Sequence, residues 1–180
     1  NYLEELTQAN DVETAVLAAT HLWYAGYPER AQALVEPAID SSRRRVRIAG
    51  AELAGLVGDS SVEGALLRML DDRSADLSAP AAVALARLGN RDIVPQVLDM
   101  AMELSEEKGE AAVRALTILG GPDVIEQVKA RLLKSNRASE EELKKIDAEI
   151  RDIVTKASDF ATNDPLPDES ELWTDIYVNA

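Results

Sequence analysis

"VEPAIDSSRRRVRIAGAELAGLVGDSSVEGALLRMLDD", residues 35–72, decides how this chain folds. Two apolar segments flank Gly58-Asp59-Ser60-Ser61, and Arg43, Arg44, Arg45 and Arg47 crowd the start of the first. In that segment Gly50, Ala51, Ala54 and Val57 stand at i, i+1, i+4 and i+7, one face of an α-helix. Gly58 falls just past the apolar stripe, where a left-handed residue that stops a helix costs glycine nothing. Ser60-x-x-Glu63 reads as a capping box that opens a second helix. The stretch therefore predicts two helices joined by a tight glycine turn.

The same unit recurs. Gly26, Gly58, Gly89 and Gly120 end the segments "ETAVLAATHLWYAG", "RVRIAGAELAGLVG", "DLSAPAAVALARLG" and "EKGEAAVRALTILG". Aligned on the glycines, one column reads Ala18, Gly50, Ala81, Ala112 and is always small. Others read Leu22, Ala54, Leu85, Leu116 and Ala25, Val57, Leu88, Leu119. Second helices follow in "RAQALVEPAID", "VEGALLRMLDD", "IVPQVLDMAME" and "VIEQVKARLLK", with Leu34, Leu66, Val97 and Val128 in register. Asp123-x-x-Glu126 reads as a further capping box and Asp92 as a simple N-cap. No single pair can bury its apolar face alone, so the pairs must stack.

The expected architecture is an all-α solenoid of about four helix–turn–helix units over 1–134. It starts with a half repeat, 1–10, followed by repeats 11–41, 42–72, 73–104 and 105–134. A C-terminal amphipathic capping helix, 135–160, and an acidic aromatic tail, 161–180, complete the chain. Its best unit, Asp40 to Asp59, resembles the HEAT-repeat family in the short form of the phycobilisome-lyase-type repeats. The resemblance rests on Val46-Arg47, Gly50-Ala51 and Val57-Gly58-Asp59, and it weakens in the third and fourth units, which lack the Val-Arg pair. It implies that Arg47 bonds turn carboxylates of a neighbouring unit, with Asp59 and Asp92 as candidates.

Composition narrows the function. The 180 residues carry a net charge of −14. A surface so acidic is unsuited to nucleic-acid phosphates or anionic membranes. There is no cysteine and one histidine, His21, which excludes disulfides, thiol catalysis and multi-histidine metal sites. A cytoplasmic setting is expected, with a leader or an upstream domain missing, since the chain starts at Asn1 in what reads as half a repeat. A native single-helix cap is the alternative. No catalytic residues, cofactor or metal are expected. Carboxylate pairs such as Asp71-Asp72 and Glu106-Glu107 fall in turns with nothing converging on them. His21 shares a column with Leu53, Ala84 and Ala115 and is expected to face other helices.

The leading functional expectation is a non-enzymatic scaffold that binds a protein or peptide on the solenoid surface. The alternatives are an accessory region of a larger bacterial enzyme, such as a sulfatase tail, or a bilin-lyase-like or chaperone role. Candidate partner-binding residues on the second helices are Glu36, Arg68, Gln96, Asp99, Glu126 and Gln127. Arg43, Arg44, Arg45 and Arg47 form either a salt-bridged turn or an anion site. After Leu133 the period fails. Leu143, Ile146, Ile150, Ile153, Ala157 and Phe160 then follow an a/d spacing that either covers the last repeat or forms a homodimer through 143–160. From Asp159 onward the tail holds six acids and no Lys or Arg. Trp173 and Ile176 there either dock back or form a recognition motif similar to the autophagy-type W-x-x-hydrophobe.

Overall fold

The computed structural model describes residues 12–163, so the half repeat 1–10 and the tail residues Trp173 and Ile176 lie outside the described residues. The described residues are helical, and no strand occurs among them. They divide into two compact units, one running to Arg131 and one starting at Leu132.

In the first unit, α1 (Val12–Tyr24) is followed by two short helices, α2 (Pro28–Gln32) and α3 (Val35–Ile39). Then come α4 (Arg44–Val57), α5 (Glu63–Leu70), α6 (Ala75–Arg87), α7 (Val94–Met102), α8 (Glu106–Leu119) and α9 (Pro122–Lys134), whose last three residues belong to the second unit. Helices α1, α4, α6 and α8 pack on one another in succession, and α3, α5 and α7 each pack on the helix that follows. The small column explains how they come so close. A Cβ built on Gly50 would lie 2.8 Å from the Ala38 side chain and 2.9 Å from the Ile39 nitrogen. Ala18, Ala81 and Ala112, in the same column, are buried. Leu53, Leu66 and Leu85 are fully buried between the helices, each contributing roughly 1.5–3 kcal/mol over an exposed position.

The glycine turns form where the sequence places them. Gly26, Gly58, Gly89 and Gly120 all have positive φ and none lies inside a helix. At Gly58, φ is 79° and ψ 29°, and its N–H and that of Asp59 both donate to the Ala54 carbonyl. The turns that follow differ from the expected capping boxes. Asp59 accepts from the Ser61 N–H at 2.9 Å, and Asn90 accepts from the Asp92 N–H at 3.0 Å. Each closes a turn two residues on, and a 3-10 turn, Ser60–Val62 or Arg91–Ile93, leads into the second helix. The capping residues are thus Asp59 and Asn90, not Ser60 and Asp92.

The expected long second helix of the first repeat is broken into α2 and α3. His21 departs from its column. It is exposed, while Leu53, Ala84 and Ala115 are buried. Helix α1 is the first one described, and among the described helices it packs mainly on α2, α3 and α4.

The second unit is built on α10 (Glu140–Asn163). Asn136, with φ 53°, stops α9, and its N–H donates to the Leu133 carbonyl. The Ser139–Glu142 capping box closes in both directions. The Ser139 N–H donates to the Glu142 carboxylate at 2.8 Å, and the Glu142 N–H donates to the Ser139 hydroxyl oxygen at 3.2 Å. These bonds hold the Glu142 carboxyl below the usual glutamate range, the backbone bond from Ser139 most of all. No residue of α10 is buried. Ile146, Ile150, Ile153 and Phe160 are each about half or more exposed.

Candidate functional site

Charged side chains tie successive helix pairs together at a fixed separation. Arg44 Nε reaches Asp76 Oδ2 at 3.2 Å, and its Nη2 donates to the Ser74 hydroxyl oxygen. Arg91 reaches Asp123, and Arg131 reaches Asp99. The partners in each pair are 32 residues apart, close to the spacing of the glycines, which is 32, 31 and 31. Two neutral donors add to the set, Asn90 to Glu63 and Gln96 to Asp71.

Arg47 behaves differently from its expected role. Its Nη1 donates to the Ser41 carbonyl at 2.8 Å and the Ser42 carbonyl at 3.2 Å. It stabilises the turn before its own helix and does not reach Asp59 or Asp92, whose neighbourhoods are organised by the local turns described above. Arg43 and Arg45 are exposed beside it. The four arginines are therefore not gathered on one point, because Arg44 is turned towards Asp76 and Arg47 towards the carbonyls.

The remaining expected binding residues are scattered in the same way. Glu36, Arg68, Glu126 and Gln127 are exposed. Arg68 and Arg47 line one shallow cavity of about 210 Å³ with Asp40 and Asp72. Gln96 and Asp99 line another of about 220 Å³ with Glu103 and Lys108, but both are engaged in the ties between pairs.

The larger groove, about 530 Å³, lies on the first helices of the pairs and holds none of the expected partner-binding residues. Glu52, Arg87, Glu107, Glu110 and Arg114 stand around an apolar floor that includes Ile48 and Val83. These positions lie off the small and apolar columns, and only the stacking of α4, α6 and α8 brings them together. Tyr24 lines the same groove, and its ring stands edge-on to Trp23 at 5.1 Å between centroids. Among the described residues no group of three or more His, Asp or Glu side chains is placed to hold a metal ion. No helix there is long and apolar enough to cross a membrane.

Comparison with known proteins points to the other end of the chain. A family model described as the dehydrogenase E1 component matches residues 116–170. The pyruvate dehydrogenase E1 component subunit alpha of Rhizobium meliloti (strain 1021) is 61% identical over 54 residues, 30% of this chain and 16% of the relative. The protein of the same name from Rickettsia bellii is 45% identical over 54 residues, 30% of this chain and 17% of the relative. The somatic mitochondrial form from Sus scrofa is 50% identical over 52 residues, 29% of this chain and 13% of the relative. The chain thus spans about a sixth of the length of the curated relatives it matches.

These matches correct the sequence reading. The similarity found, over residues 116–170, is to dehydrogenase E1 components and not to the HEAT-repeat family. Residues 124–134, expected above to form the second helix of the last unit, lie within the matched stretch. A non-enzymatic scaffold is overturned with it, as are the sulfatase-tail and bilin-lyase or chaperone alternatives. The expectation that the chain is not an enzyme falls too, because the relatives are named as subunits of a dehydrogenase.

Proposed function

We propose that this chain takes part in a pyruvate dehydrogenase E1 assembly, to which residues 116–170 contribute a segment of the alpha-subunit type. The observation that carries this reading is the 61% identity over 54 residues to the Rhizobium meliloti alpha subunit. The local stops at Asn136 and Ser139 support it. They end α9 and open α10 inside the matched stretch through short-range bonds. The name of these relatives makes pyruvate the substrate of such an assembly.

In this reading the unit that ends at Arg131 is a short helical solenoid. The stacking of α1, α4, α6 and α8 and the ties 32 residues apart support that architecture. Affinity purification of the tagged chain from cells tests the proposal. The chain is expected to elute with the remaining subunits of an E1 component and with pyruvate dehydrogenase activity. A variant lacking residues 116–170 is expected to lose both. Elution without any E1 subunit overturns the reading.

A further inference from the structure

We propose that α10 pairs with α10 of a second copy of this chain as an antiparallel two-helix coil, a reading that goes beyond membership of an E1 assembly. The starting point is an amphipathic helix of 24 residues with no buried residue. Its stripe, Leu143, Ile146, Ile150, Ile153, Ala157 and Phe160, alternates three and four residues apart. That is the a/d pattern of a coiled-coil seam. Val154, 61% exposed, widens it on one side. An exposed apolar face of this kind marks an interaction surface.

Charge selects the occupant and the orientation. With Leu143 at position a, the flanking g positions are Glu142, Glu149, Lys156 and Asn163, and the e positions are Glu140, Asp147, Val154 and Ala161. In a parallel pair each g residue meets the e residue five positions on in the other helix. Glu142 would then oppose Asp147 in both directions, with no opposite-charge pair to offset the repulsion. In an antiparallel pair g meets g and e meets e. All six layers then close: Leu143 on Phe160, Ile146 on Ala157, Ile150 on Ile153, and the same by symmetry. In that register Glu149 stands within about 3 Å, along the axis, of Lys156 of the second copy. The symmetry makes two such ion pairs. The remaining flanking pairs, Glu142 with Asn163, Asp147 with Val154 and Glu140 with Ala161, place no like charges together. Within one helix Lys156 bonds Asp152 at 2.6 Å and Glu149 meets Lys145 at 3.9 Å. Such exposed pairs within a helix are weak and leave both groups able to reach across.

The seam is only about two and a half heptads long, so the association is concentration-dependent. Sedimentation equilibrium of the full chain over a range of loading concentrations reads it directly. The expected result is a shift towards twice the 19.5 kDa monomer mass. Ile150→Glu is expected to leave a monomer whose helix content, by circular dichroism, equals the parent's. Lys156→Glu is expected to weaken the dimer about three- to tenfold, and adding Glu149→Lys to it to restore the dimer. The chain has no cysteine, which allows orientation to be read by oxidation. Leu143→Cys mixed with Phe160→Cys is expected to form a disulfide-linked dimer, and Leu143→Cys alone is not. A monomer at every concentration, a dimer indifferent to Ile150→Glu, no rescue by the double charge swap, or cross-linking of Leu143→Cys alone each overturns the proposal. Since the readout is self-association, it fails or holds independently of co-purification with an E1 component.

Discussion

Arg91 and Asp123 are joined by two hydrogen bonds across 32 residues of sequence, Nη2 to Oδ1 at 2.8 Å and Nε to Oδ2 at 3.2 Å. The same guanidinium donates to the Leu119 carbonyl at 3.0 Å and the Gly120 carbonyl at 2.6 Å. One side chain thus clamps the end of α8 and the start of α9. The planar fork of arginine suits this geometry, and a lysine would not reproduce it.

The clamp has a signature in pH. The Arg91 hydrogen bonds hold the Asp123 carboxyl below its ordinary 3.8 and raise the guanidinium in turn. A depressed folded-state value means that the contribution to stability is complete above the ordinary value and is lost as pH falls through the folded one. Carbon-detected NMR titration is expected to show Asp123 titrating below 3.8 in the parent. In Arg91→Gln it should move back up towards that value. An unchanged midpoint would show that the clamp does not exist in solution.

Gly50 carries a packing prediction. The built Cβ meets a backbone nitrogen at 2.9 Å, and backbone cannot swing aside as a side-chain end can. Gly50→Leu is therefore expected to overpack the junction of α3 and α4 and to cost about 1–3 kcal/mol. Denaturant unfolding measures the change. Gly64, with only a distant Arg68 nitrogen near its would-be Cβ, is the control. Gly64→Ala is expected to leave stability the same or raised, because helical glycine is costly relative to alanine.

The glycine stops and the small column were legible because each reflects a one-residue constraint: a positive φ at Gly58, a missing Cβ at Gly50. The ties were not legible in the same way. Arg47 has carboxylates in plausible positions, yet it bonds the carbonyls of Ser41 and Ser42, and no local pattern distinguishes the two acceptors. The groove around Glu52 and Arg114 is built from three stacked helices and has no signature within any one of them. The similarity of residues 116–170 to dehydrogenase E1 components was not legible, because the columns report only which face of a helix is apolar and carry no family signature.

The capping box of α10 yields a partial-effect prediction. Ser139→Ala removes the hydroxyl but keeps the backbone N–H, which is the larger cause of the low Glu142 value. The Glu142 midpoint is expected to rise only part of the way to the ordinary 4.5. Hydrogen exchange in the first turn of α10 is expected to quicken at the same time, because one of the groups satisfying its orphan N–H donors is gone. A full return to 4.5 would mean that the hydroxyl, and not the backbone, organises the box.

Lys108 sets the last expectation. It is a lysine only 8% exposed, at the first turn of α8, where the helix dipole opposes a positive charge. Its Nζ bonds Glu103 Oε2 at 2.7 Å, and the Glu103 side chain is half exposed. The two ends of this pair are therefore unequal. Removing the carboxylate leaves a buried ammonium without its partner, whereas removing the ammonium leaves a carboxylate that water can still reach. Glu103→Gln is expected to destabilise the chain by about 1–2 kcal/mol, a figure reduced for the exposure of the carboxylate. Lys108→Met, which keeps the buried stem and removes the charge, is expected to be close to neutral. Thermal unfolding of the two single variants and the double variant decides it. If Lys108→Met proves the more damaging change, the ion pair contributes net stability and its desolvation cost has been overstated. If the double variant resembles Lys108→Met alone, the penalty of Glu103→Gln came from the stranded ammonium.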